Sequence, residues 1–343
     1  MRQIAEEDLR HAASTLVRTG LHLVHGERFV VVGDAESQPM VAALEAAGRD
    51  AGAEVTALRL DQLRSYSTNH SGERPHKVLP DGVRRAMLSA QASAFVASAL
   101  HAEGSMREQL LHVAAACKGR HAHMAGISPL AFATSLREDF GRLAEEGRSV
   151  DRRLEVAREI TCESAQGTKL SITAAPPRRW VARLGHVVAG ESVTVPAGSI
   201  FTSPESISGT FVANASVGEY FGARVGLLTE PVVFEIVESR VMNVIAPGSP
   251  GLVQEIENML HIAPNSDHVG LVVIGVNSEI GEATGDVSVD QNRVGLHLVI
   301  GDPLGKLTGA SWSARTSFAA CQASGSVRVD GVLVIDEGKL VRS

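Results

Sequence analysis

Apolar positions repeat with two different periods along the first 160 residues. Over residues 5–25, Ala5, Leu9, Ala12, Ala13, Leu16 and Leu23 fall near one helical stripe. Gly26-Glu27-Arg28 interrupts it. The unbroken run Phe29-Val30-Val31-Val32 follows and ends at Gly33-Asp34. A run so short and β-branched, bounded by glycines, predicts a buried parallel strand. Helical spacing returns within 37–52 at Met40, Val41, Leu44 and Ala47. Gly52 closes that helix, and Ala53–Leu58 reads as the next strand. Strand, helix and strand in this order are the building block of an open α/β sheet. Helix 82–92, strand 93–99, helix 104–116 and segment 120–127 continue the alternation. Residues 64–81 are polar and rich in turn formers, which predicts a loop. The charged stretch 134–160 predicts one or two long helices with a solvated face.

The pattern changes after about residue 160. Strand-like pieces follow in quick succession: Lys169–Ala174, His186–Val188, Ser192–Val195, Gly209–Ala213, Val225–Leu228, Val232–Val237 and Arg240–Val244. A helix over 251–260 precedes the apolar run Val269–Val276. Near the end, Asp330-Gly331 separates two β-branched runs, a strong hairpin signal. The expected fold class is therefore α/β. An N-terminal open α/β sheet domain spans 1–160, and a sheet-rich α+β domain spans 161–343.

Composition narrows the function classes. The 343 residues are 44% hydrophobic and 21% charged, as in an ordinary globular chain of two domains. A net charge of -7 without a long basic run argues against a nucleic-acid partner. No apolar stretch reaches the ~18 residues of a membrane span. The opening MRQIAEEDLRHAAS lacks the apolar centre of a signal peptide, so a cytoplasmic location is expected. Cys117, Cys162 and Cys321 are widely spaced, odd in number and form no CxxC pair, so they read as reduced, mostly buried thiols. Asp34 ends the first strand, where open sheets bind ligands. No GxGxxG accompanies it, and it reads as a capping or turn residue.

Four stretches carry the chemistry. Ser164-Ala165-Gln166-Gly167-Thr168-Lys169-Leu170 precedes Val195-Pro196-Ala197-Gly198-Ser199-Ile200-Phe201-Thr202-Ser203-Pro204 and then Gly209-Thr210. Ile274-Gly275-Val276-Asn277 comes next. Gly295-Leu296-His297-Leu298-Val299-Ile300-Gly301 follows about twenty residues later. In this order and spacing the sequence resembles the thermophilic-type metallo-aminopeptidases and their relatives, the 2,5-dihydroxypyridine 5,6-dioxygenases, over most of its length. The resemblance implies an aminopeptidase-like C-terminal domain with a cleft, and a homodimer. In the aminopeptidases it implies two divalent ions that polarise a peptide carbonyl and generate hydroxide. In the dioxygenases it implies one ferrous ion on two histidines and a carboxylate.

Carried over residue by residue, most of that ligand set is missing. Ser199 stands where the family's Pro-x-Gly-Glu motif has its glutamate. Leu271 stands where a glutamate or histidine precedes Gly-x-Asn. Ser317 and Ala319 stand where a His-x-Asp pair is expected before the last hairpin, while His297 is retained. His268 lies three residues before Leu271, and an odd-numbered strand shift would turn it to the other face. Neutral hydroxyls are poor ligands for divalent ions. The expectation is therefore no metal ligands and no cofactor, with iron or zinc as the alternative.

The candidate catalytic residues are His297, His268, Asp290 and Glu279, with His297–Asp290 as an imidazole–carboxylate pair and His268 beside Asp267. The candidate substrate-binding residues are Ser199, Ser317, Arg178 and Trp180; the last two are suited to a carboxylate or a ring. Cys321 would be a nucleophile only as a stabilised thiolate. The leading expectation is a repurposed enzyme acting on a peptide, an amino-acid derivative or a small heteroaromatic acid. One alternative is a non-catalytic peptide- or substrate-binding protein. Another is a metal enzyme with a rebuilt ligand set drawn from His268, His297 and Glu279 or Asp290.

Overall fold

The computed structural model describes residues 4–341 apart from 64, 68–75, 98–103, 138, 175, 186, 188–189, 191 and 219–224. Helix α1 (Glu6–Thr15) runs into a single π-helical turn, Leu16–Gly20. The helix expected to reach residue 25 therefore stops early, where glycine makes continuation costly. Strand β1 (Arg28–Gly33) is buried from Phe29 onward, as its unbroken apolar run predicts. Helix α2 (Gln38–Asp50) and strand β2 (Glu54–Arg59) follow. The expected loop over 64–81 contains a short antiparallel pair, β3 (Ser65–Ser67) and β4 (His76–Val78). Helix α3 (Asp81–Ser89), β5 (Ala92–Ala97), α4 (Gly104–Ala116) and β6 (Arg120–Ala125) continue the alternation. The charged stretch resolves into α5 (Pro129–Ser135), capped by the Ser128 hydroxyl, and α6 (Phe140–Leu154).

The strand-rich half then unrolls. It contains β7 (Glu159–Glu163), β8 (Lys169–Thr173), β9 (Val181–Arg183), β10 (Ser192–Thr194), β11 (Ser199–Thr202), β12 (Ser206–Ala213), β13 (Ser216–Val217), β14 (Val232–Val237) and β15 (Arg240–Ile245). Helix α7 (Pro250–Leu260), β16 (Val269–Gly275), a short α8 (Val287–Asp290), β17 (Gly295–Gly301), a short α9 (Gly305–Thr308) and β18 (Ser317–Cys321) follow. The chain closes on β19 (Ser326–Val329), β20 (Val332–Asp336) and β21 (Lys339–Leu340). Between β19 and β20, Asp330 and Gly331 both take positive φ, 48° and 79°, as a tight primed turn requires. Val225–Leu228 is not a strand: Gly226 sits at φ 66° and breaks the extended run. Of the expected strand at 186–188, positions 186 and 188 lie outside the described residues.

The chain divides into two compact units. The first holds Met1–Arg142 and Gly185–Ala197, and the second holds Leu143–Leu184 and Gly198–Ser343. The division thus falls earlier than residue 160, and segment 185–197 returns to the first unit. That return has a structural cause: β10 pairs in parallel with β6 and completes the sheet. The sheet order is β10-β6-β5-β1-β2, with parallel pairs throughout. Asp34 is a turn residue here. Its Oδ1 accepts the Ser37 N–H at 2.9 Å, and the Ser37 hydroxyl donates to the Val96 carbonyl at 2.7 Å.

The second unit contains a six-stranded sheet, β13-β18-β17-β16-β11-β9, and an eight-stranded sheet, β15-β14-β12-β8-β7-β19-β20-β21. Phe234 of the larger sheet meets Phe318 of the smaller one, with ring centroids 6.5 Å apart. Gln322 ties them further. Its amide donates to the Leu296 carbonyl at 2.8 Å, and its carbonyl accepts the Thr168 hydroxyl at 3.1 Å. The mixed α/β architecture, with one parallel and several antiparallel sheets, matches the expected fold class.

Candidate functional site

The six-stranded sheet positions the site. In antiparallel pairs, residues directly opposite one another point to the same face. Ser199 lies opposite Gly275, Phe201 opposite Val273, and Val273 opposite His297. Leu271 lies opposite Val299, Val299 opposite Ala319, and Gly301 opposite Ser317. The register thus gathers Ser199, Leu271, Ser317, Ala319 and His297 on one face, from four strands scattered over the sequence.

That face carries a cavity of about 210 Å³. Its apolar wall includes Phe201, Leu271, Val273, Val299 and Phe318, and its polar groups are Arg183, Ser199, Gln291, Asp302 and Ser317. Ala319, Val287 and Leu304 complete the lining. All of these belong to the second unit. The Arg183 guanidinium carbon lies 5.2 Å from the Phe201 ring centroid, a cation–π arrangement. Ser199 is buried, whereas Ser317 is exposed at the edge. The volume falls below the ~300–1,000 Å³ of drug-sized sites, so it suits a single ring or a short aliphatic body.

His297 adjoins this wall without lining the cavity. It is 1% exposed. Its Nε2–H donates to the Arg293 carbonyl at 3.0 Å, which leaves Nδ1 as a bare acceptor. That buried Nδ1 has no hydrogen-bond partner. Burial, with a smaller contribution from the Arg293 charge, lowers its pKa to about 4, so the ring is neutral near pH 7.

The expected His297–Asp290 pair does not form. Asp290 is fully buried, and its two oxygens already accept four hydrogen bonds. These come from the Thr284 N–H at 2.7 Å, the Thr284 hydroxyl at 2.9 Å, the Gly285 N–H at 3.0 Å and the Ser216 hydroxyl at 2.8 Å. No acceptor capacity remains for an imidazole. Asp290 organises the loop before α8, and α8 in turn supplies Val287 to the cavity wall.

The other candidates stand apart from the cavity. The His268 ring packs on Trp312 with centroids 4.2 Å apart, and its Nδ1 donates to the Val269 carbonyl at 3.2 Å. Burial lowers its pKa, and its neighbour Asp267 is held by Arg240 at 2.6 Å. Glu279 is exposed and does not line the cavity. Arg178 is no substrate cation here, because its Nη1 donates to the Gly309 carbonyl at 3.2 Å. Trp180 is half-buried and also outside the lining. Cys321 is fully buried, and burial raises its thiol pKa, so it is not a thiolate nucleophile.

Arg183, Gln291 and Asp302 are the charged and amide groups that sequence reasoning missed. Arg183 had a usable signal. It shares one strand face with Val181, two residues before it, and in the register it lies opposite Ser199. Gln291 and Asp302 follow secondary-structure ends and carry no such periodicity.

The donor set does not fit a metal centre. Among the described residues, no three His, Cys, Asp or Glu side chains gather in a way that would hold an ion. No helix among them is long and apolar enough to cross a membrane.

No family model and no curated protein matches this sequence. Solved structures do match. A 2,5-dihydroxypyridine dioxygenase from Pseudomonas putida KT2440 superposes with a TM-score of 0.70 at 15% identity, over 99% of each chain. AmpT from Thermus thermophilus superposes with a TM-score of 0.68 at 14% identity, over 98% of this chain and 100% of its own. At such identities the likeness establishes a shared fold, and that fold runs the whole length of the chain.

Proposed function

We propose that the second unit binds a small organic acid with an apolar body, in the place where the resembled families hold their metal, and does so without an ion. One observation carries this reading. Ser199, Leu271, Ser317 and Ala319, the four positions matched to family ligands by sequence, all line a single cavity. None of them offers a carboxylate or an imidazole. Around them Phe201, Val273 and Val299 form an apolar bed. Arg183, which packs on Phe201 and is already engaged within the protein, brings a guanidinium whose several donors can also take a carboxylate. A low-dielectric wall strengthens that pairing.

A second reading, metal-independent acid–base chemistry on the bound molecule, is favoured by His297. Its neutral Nδ1 is a proton acceptor without a donor. With its pKa lowered to about 4 the ring is a weak base, so a ligand group that reached it would donate a hydrogen bond to a buried lone pair and be polarised there.

The test is calorimetric titration with phenylacetate and indole-3-carboxylate. We expect saturable binding to the natural chain and its loss in Leu271→Trp, which fills the cavity. Binding that persists in Leu271→Trp would place the ligand elsewhere. Turnover that survives His297→Gln would remove the catalytic reading and leave the binding one.

A further inference from the structure

Resting on the cavity reading above, we infer that Leu304 is the side chain that sets which ligand bodies the cavity accepts, and that the turn around it holds it there against its own backbone preference. Leu304 has φ 49° and ψ 50°, the left-handed helical conformation. A γ-branched residue adopts it only when its surroundings over-determine it, because Cβ crowds the following carbonyl. Glycine would take the same backbone without strain. The leucine side chain nevertheless lines the cavity and packs against the cluster of Phe201, Leu271 and Val273. The strained residue is therefore also the one whose side chain reaches the proposed ligand space.

The turn is fastened at each step. The Leu304 N–H donates to Asp302 Oδ1 at 3.2 Å, which also fixes a carboxylate of the cavity lining. The buried Thr308 hydroxyl donates to the Pro303 carbonyl at 2.7 Å. From the neighbouring segment, Arg179 donates through Nε to the Leu307 carbonyl at 3.0 Å and through Nη2 to the Lys306 carbonyl at 2.9 Å. The Arg179 N–H donates to the Thr308 carbonyl at 2.8 Å. Arg178 adds its bond to Gly309. Carbonyls at the end of so short a helix have no continuing partners, and cationic donors suit them. These contacts give Arg178 and Arg179 a positioning role: they anchor the turn that presents Leu304 and Asp302.

The experiment compares Leu304→Ala and Leu304→Gly with the natural chain. It titrates each with phenylacetate, indole-3-carboxylate and the bulkier biphenyl-4-carboxylate, and follows urea unfolding in parallel. We expect either truncation to weaken phenylacetate about tenfold and to strengthen biphenyl-4-carboxylate relative to it, inverting the order of preference. Leu304→Gly should unfold at higher urea than Leu304→Ala, the reverse of their usual order, because only glycine removes the left-handed strain. An unchanged order of preference among acids that do bind the natural chain overturns the assignment of Leu304 and leaves the cavity reading standing. Failure of the natural chain to bind any of the three overturns both. Arg179→Lys supplies a further arm, since lysine cannot span two carbonyls. The same inversion, in part, supports the anchoring role, and an unaltered preference removes it.

Discussion

Asp290 and His297 lie seven residues apart, and their surroundings assign them different tasks. Asp290 is consumed by structure: four donors converge on its two oxygens. Replacing it with alanine leaves those donors buried and unpaired. We expect Asp290→Ala to cost about 3–5 kcal/mol in urea unfolding, in the range for breaking a buried charged network. His297 has the opposite character, with one nitrogen used and one orphaned. Cys162 shows a third outcome. It is buried, its pKa is raised to about 11 by that burial, and it accepts the Gln322 amide at 3.2 Å. It should resist alkylation until the unit unfolds, measurable as thiol labelling that tracks unfolding. Sequence reasoning could name His297 from its motif but could not assign its partner. Which nitrogen is free depends on the Arg293 carbonyl, four residues away across a turn.

At the scale of elements, helices and strands with strong local patterns were legible: the expected helices at 104–116 and 251–260 form as α4 and α7. The run Phe29–Val32 and the hairpin around Asp330-Gly331 follow from local chemistry alone. Motif matching set Ser199, Leu271, Ser317 and Ala319 against family ligand positions, but the register that puts them on one face is set by pairings distant in sequence. What escaped was set by partners distant in sequence. Arg178 reads from sequence as a carboxylate-binding cation, yet the Gly309 carbonyl claims it, while Arg183 lines the cavity. The return of 185–197 to the first sheet depends on pairing with β6, seventy residues earlier, and no local signal marks it.

The same sheet buries a histidine that makes a pH prediction. His121 on β6 is 1% exposed, and its Nδ1 bonds the Ser93 hydroxyl on β5 at 2.8 Å. Burial lowers its pKa to about 4. An unfolded histidine titrates near 6.5, so the unfolded chain takes up the proton first as pH falls. Stability is full above about 6.5 and declines down to about 4, where the folded ring also protonates. We expect the first unit to lose roughly 2 kcal/mol between pH 7 and pH 5 from this group. His297 should impose a similar loss on the second unit. Urea midpoints at the two pH values test this, and His121→Gln should flatten the dependence. An unchanged slope in that variant would assign the effect to other groups.

For the molecule as a whole, the fold is shared along its full length with a dioxygenase and with AmpT, while the side chains at one place differ in kind from metal ligands. On the proposed function, the shared scaffold carries at this place a cavity lined by Leu271, Ala319 and two serines instead of metal ligands. That difference also makes an engineering prediction. Ser199→Glu, Leu271→Glu and Ala319→Asp together should create a site that takes up zinc or cobalt, seen as a metal-dependent rise in melting temperature, at some cost in stability from buried carboxylates. The most direct test of a metal-free cavity is the metal content of the natural protein, purified without chelators from cells supplied with iron, zinc and cobalt. We expect far less than one ion per chain. A content near one or two ions per chain would contradict the proposal.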